Sequence, residues 1–169
     1  DSDTYRLLLQ LDSETEGPRR IAERCERLVR EMKKRQSDNS LHSVPVTSFH
    51  WNCALSAWEH SHDSDSRAKA SVDLLLGDVA GADCVNGMTA LTALRCCVRD
   101  QSDPNVAKLG GEAALRVWKA IVKLDKTQIG NLPSEAYSTF LQAIRCLSMD
   151  DYQEKYRSLD GCFRLACLC

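Results

Sequence analysis

The sequence predicts an all-α chain, an α-α superhelix of about four helix-turn-helix repeats, on three observations. The first is composition: 21 Leu and 16 Ala against 10 Val and 4 Ile favour helix over strand. The second is punctuation, because Pro18, Pro45, Pro104 and Pro133 mark polar stretches between periodic segments. The third is periodicity. Eight segments carry apolar residues at or near i, i+3, i+4 and i+7, the stripe that a helix buries. No segment of four or more residues alternates, so no strand is expected.

Each element has its own warrant. Tyr5, Leu8 and Leu9 begin the first helix, with Asp12 standing where the stripe should continue. Polar residues 12–17 end it, and Cys25, Leu28, Val29 and Met32 define the second. The stretch 36–46 leads into the third, with Trp51, Ala54, Leu55 and Trp58. Residues 60–65 read as a loop before the fourth, marked by Ser71, Leu74 and Leu75. Gly87, Ala90, Leu91 and Leu94 form the fifth, and 100–111 reads as an extended loop. Val117, Ala120, Ile121 and Leu124 form the sixth, and the stretch 126–133 closes it. Tyr137, Phe140, Leu141 and Ile144 form the seventh, and Leu159, Cys162, Phe163 and Ala166 the eighth. Trp51, Trp58, Tyr137 and Leu141 are expected to be buried between helix pairs.

The eight segments alternate as first and second helices of a repeat. Second helices start 46, 46 and 42 residues apart, counted from Cys25, Ser71, Val117 and Leu159. The last three first helices carry Ala57, Ala93 and Ala143 six residues after their start, where a small side chain lets helices approach. Pairs repeating at this scale bury each apolar face against the next pair. The repeats fall at about 1–44, 45–82, 83–131 and 132–169. The chain ends inside the apolar stretch 165–169, so it reads as a fragment of a longer protein.

Charge and motif content exclude several classes. The formal net charge of −2 lacks the basic footprint usual in a nucleic-acid binder. No apolar run approaches the ~20 residues of a membrane span, so no membrane partner is expected. Nine cysteines, with Cys96 beside Cys97, include no C-x2-C spacing. They follow apolar stripes and are expected to be reduced and free of metal. No Gly-rich phosphate loop, H-E-x-x-H or G-x-S-x-G occurs, and Gly110-Gly111 reads as the approach to a helix. Neither an enzyme nor a cofactor is expected. The Arg-rich run from Arg19 to Arg35 carries Glu16/Arg20, Glu23/Arg27, Glu26/Arg30 and Glu31/Arg35 at i, i+4, which reads as a solvated face. The cluster from His60 to Asp65 reads as a polar loop.

The string Trp51-Asn52-Cys53-Ala54-Leu55-Ser56-Ala57-Trp58 resembles the opening helix of a pentatricopeptide repeat, with Pro45 ahead of it. Tyr137-Ser138-Thr139-Phe140-Leu141-Gln142-Ala143 resembles a second copy behind Pro133, and the segment from Arg24 to Met32 resembles that family's closing helix. The likeness spans the chain and is weakest in the third repeat. Each repeat is longer than the family's unit, as in divergent algal and protist members.

The resemblance implies a module of an organellar post-transcriptional factor, in a mitochondrion or plastid, binding single-stranded RNA one base per repeat along its first helices. It implies base-facing positions at Arg6, Asn52, Met88 and Ser138. Clamping positions three residues earlier are then Asp3, Phe49, Val85 and Glu135, and edge partners are Thr47, Asp83 and Pro133. Only the second repeat is complete: Phe49 and Val85 sandwich a base while Asn52 reads its edge, with Asp83 orienting the amide. The residues also support a protein-binding scaffold, such as an accessory subunit of an organellar ribosome. Met88 and Pro133 cannot read a base edge, and Asp3 and Glu135 repel phosphate. Arg6, Arg95, Arg99 and Arg145 on the first helices are the local source of positive charge.

Overall fold

The computed structural model describes residues 17–38, 45–62, 64–73, 85–98, 103–123, 132–145 and 147. These residues contain six helices and no strand: α1 (Pro18–Ser37), α2 (Ser48–His60), α3 (Ser64–Asp73), α4 (Gly87–Val98), α5 (Pro104–Lys123) and α6 (Ser134–Ile144). The segments around Tyr5 and Leu159, read as the first and eighth helices, lie outside the described residues.

Helix α1 starts with Pro18 at its first position, where a missing N–H costs nothing. It buries Ala22, Cys25, Val29 and Met32, the stripe its periodicity predicts. The opposite face is solvated and charged. Arg30 pairs with Glu26 at 2.8 Å and Arg35 with Glu31, as the spacing implies. Glu23 turns back to Arg19 at 2.9 Å instead of forward to Arg27.

The starts of α2, α4 and α6 can be aligned on one another. Thr47 precedes α2, and its N–H donates to His50 Nδ1 at 3.1 Å. Asn86 precedes α4, its Oδ1 accepting the Thr89 N–H at 3.0 Å. Pro133 precedes α6. Each of the first two starts is preceded by a buried valine, Val46 or Val85, in the position from which an apolar residue packs beneath the first turn. Aligned by these starts, Ala90 rather than Gly87 stands opposite Trp51 and Tyr137. The register of α4 is therefore shifted three residues from the one read in the sequence.

Helix α5 corrects a second expectation. Within the stretch 100–111 read as an extended loop, residues 104–111 are helical, since Asp103 Oδ1 accepts the Asn105 N–H at 2.8 Å and α5 begins at Pro104. Gly110 and Gly111 lie inside α5 and are contact points. A Cβ on Gly110 would overlap the Cys97 carbonyl oxygen, and one on Gly111 would stand 2.8 Å from the Leu147 side chain and 3.1 Å from the Ala143 carbonyl oxygen. Likewise α3 begins at Ser64, inside the stretch read as a loop.

The principal helix contacts join α1 to α2, α2 to α3 and α4, α3 to α4 and α5, α4 to α5 and α6, and α5 to α6. Counted over the described helices, every such pair is one or two apart along the chain. This pattern fits either a helical bundle or a repeat. Helix α4 is enclosed by α2, α3, α5 and α6 and exposes little beyond Met88 and Arg95. Trp51, Trp118, Phe140, Leu55, Leu91 and Leu94 are completely or almost completely buried. Trp58 is buried and Tyr137 half-buried, but Leu141 is 44% exposed. The buried face of α6 runs through Ala136, Phe140, Ala143 and Ile144, which leaves Leu141 beside the stripe. Among the described residues, no helix is long and apolar enough to cross a membrane.

Candidate functional site

Of the residues assigned to RNA by sequence, Phe49, Asn52, Val85 and Ser138 lie among the described residues, whereas Arg6 and Asp83 lie outside them. Phe49 is the second residue of α2, is 49% exposed, and makes an edge contact with the His50 ring at 5.8 Å. Asn52 follows one turn later and is half-buried. Its Oδ1 is buried without a hydrogen-bond partner. That oxygen is shut off from solvent, so it meets an incoming group only if the amide turns outward.

Val85 does not lie at the surface beside Phe49 and Asn52. It is 2% exposed and packs in the core below the first turn of α4. In the register set by the helix starts, the residue equivalent to Phe49 is Met88, also the second of its helix, and it is 50% exposed. Leu91 becomes the equivalent of Asn52 and is buried, so α4 presents no polar side chain at that position. Asn86 takes the place assigned to Asp83, and its side chain is engaged in capping α4. Sequence reasoning missed Met88 as a partner of Phe49. The signal was available in Val85-Asn86-Gly87, an apolar residue and a cap before a helix, parallel to Val46-Thr47-Ser48.

The same position on α6 is Glu135, in the first helical turn. Its carboxylate accepts a hydrogen bond from Arg95 Nη2 at 2.6 Å, across from α4. The bond to Glu135 raises the Arg95 pKa above its ordinary value, and the nearby Glu59 charge adds to that. Ser138 is exposed, and its hydroxyl donates to the Glu135 carbonyl oxygen at 2.9 Å.

A polar cleft of about 440 Å³ opens between α1 and α3 above Trp58. The Trp58 indole N–H donates to Glu26 Oε2 at 2.8 Å, which fixes one wall. Three acids, Glu23, Glu26 and Asp73, and three bases, Arg27, Arg30 and Lys69, line it, so its lining has no net charge to select a ligand.

No group of three or more His, Cys, Asp or Glu that could hold a metal occurs among the described residues. Cys25, Cys53, Cys96 and Cys97 are free thiols, and the other five lie outside the described residues. Burial pushes Cys25 and Cys97 up to about 11 and Cys96 well above its ordinary value. The thiolate is the reactive form, so these three should resist a neutral alkylating reagent in the folded protein. Peptide mass mapping after brief alkylation should find them unmodified, with full labelling in denaturant. Rapid labelling of Cys96 under native conditions would contradict its burial.

No protein-family model matches the chain, and no curated protein or solved structure does either.

Proposed function

We propose that the chain is an α-α superhelix whose first helices bind single-stranded RNA, as a module of an organellar post-transcriptional factor. Phe49 and Met88 carry the reading. They are large apolar side chains, each about half exposed, at the same position of two helices that pack together. Exposed apolar side chains at equivalent places on successive helices suit flat bases, which stack on any such face. Asn52, one turn beyond Phe49, supplies the edge-reading amide. Phe49 and Met88 are the two sandwich faces, with Met88 in the role that the sequence assigned to Val85.

The test is anisotropy of a labelled uridine-rich single strand at low salt, where the small electrostatic contribution is greatest. A stacked aromatic contributes about 1–3 kcal/mol per base, so Phe49→Ala should weaken binding roughly 5- to 150-fold. Met88→Ala should weaken it less, and Asn52→Ala should relax base preference more than affinity. All three side chains are exposed or half-buried, so thermal melting should change little. Binding that survives all three substitutions unchanged would remove these residues from the site.

A second reading, a protein-binding scaffold, is favoured by the exposed Leu141 on α6 and by the pairing of Arg95 with an acid. A chain that ignores RNA at low salt would leave that reading in place.

A further inference from the structure

The first-helix surface carries a basic side chain that the base-stacking scheme leaves unused. Arg95 stands seven residues after Met88 on α4, two helical turns on and therefore on the same face, about 10 Å away along the axis. It is 35% exposed at the side chain, and its guanidinium is held by Glu135 of α6, 55% exposed, at 2.6 Å. Glu59 is the other acid whose charge acts on it. A guanidinium that accepts one planar anion in this geometry has the donors to accept another.

We propose that Arg95 is a phosphate-contacting residue of the RNA surface, and that Glu135 occupies its guanidinium until an RNA phosphate displaces it. The inference rests on the RNA reading given above. It follows from the magnitudes involved, since an ion pair this exposed is weak and yields to a competing anion. Glu135 then acts as an internal competitor. Its position at the start of α6 keeps the carboxylate favourable without Arg95, because acids are stabilised at helix N-termini. The displaced carboxylate therefore has somewhere to rest while Arg95 engages the strand. Breaking the pair frees the Arg95 guanidinium for the strand and leaves the net charge of the surface unchanged.

A double-mutant cycle tests this in the 169-residue chain, with Arg95→Gln, Glu135→Gln and the double variant titrated with the same labelled strand over a salt series. Glu135→Gln should tighten binding roughly 1.5- to 5-fold, the range an exposed ion pair spans. Arg95→Gln should weaken binding and flatten the salt dependence, lowering the slope of log affinity against log salt by about 0.7. In the Arg95→Gln background, removing Glu135 should recover only the part due to repulsion. Equal gains from Glu135→Gln in both backgrounds would show repulsion alone and overturn the role of Arg95. Binding by all four proteins with one affinity and one slope would also overturn it, leaving the RNA reading intact. Absence of binding by all four, with native circular dichroism, would defeat both.

Discussion

Trp118→Ala should lower the stability of the chain by about 3–5 kcal/mol, the range for truncating a buried tryptophan. Trp118 is 1% exposed on α5. Its ring stacks on Phe140 with centroids 4.4 Å apart and an interplanar angle of 11°. Tyr137 meets it edge-on at 5.6 Å, so one indole joins two turns of α6 to α5. Such aromatic pairs contribute about 0.5–1.5 kcal/mol beyond the area they bury. One term opposes these. The indole Nε1 is buried without a partner, so the alanine variant is relieved of that desolvated donor. Trp118→Phe separates the effects, because it keeps an aromatic face against Phe140 and removes the orphaned N–H. Urea titration followed by circular dichroism should rank wild type above Trp118→Phe and Trp118→Ala last. A loss below about 1 kcal/mol for Trp118→Ala would be incompatible with a filled aromatic core at this site.

Gly110→Ala should destabilise by roughly 1–3 kcal/mol, the usual cost of overpacking a filled contact. The sign is the informative part. Inside an exposed helix, alanine in place of glycine stabilises by about 0.8–1.0 kcal/mol. At Gly110 the added carbon would lie 3.3 Å from the carbonyl carbon of Cys97 and overlap its oxygen. Those are backbone atoms at the end of α4, so no rotamer change relieves the clash and the helices must separate. Gly111→Ala should cost less, because the Leu147 side chain it meets at 2.8 Å can turn aside. A raised melting temperature for Gly110→Ala would mean that α4 and α5 are not in this contact.

The contrast between Gly110 and the stripe of α1 shows what the sequence can express. Cys25, Val29 and Met32 have one apolar neighbour set at helical spacing, so their burial is legible from period alone. The pair Gly110-Gly111 looks like a breaker, and only the neighbouring Cys97 backbone explains why glycine stands inside a helix. Leu141 fails for a different reason. Phe140 and Leu141 are adjacent and both apolar, and periodicity cannot decide which faces inward when either phase fits. Neighbouring Ala136 and Ala143 settle it in favour of Phe140. At the candidate site, Phe49 and Asn52 share a turn of one helix and could be paired by eye. Met88 is harder to pair, because its relation to Phe49 depends on where α4 starts, which only the cap ahead of Gly87 marks. That start is fixed by the Asn86–Thr89 hydrogen bonds rather than by an apolar template.

The restriction of the principal contacts to helices one or two apart has a consequence for how the chain acquires its structure during synthesis. Helix α2 can dock on α1 once the ribosome has released residues through His60, without waiting for any later segment. Each subsequent helix finds at least one earlier partner already present, and its later partners are among the next two described helices. Loops closed in this order are short, which keeps the entropic barrier to each step small. Helix α4 is the exception in timing, because half of its cover comes from α5 and α6, and its apolar faces stay open until residues through Ile144 have emerged.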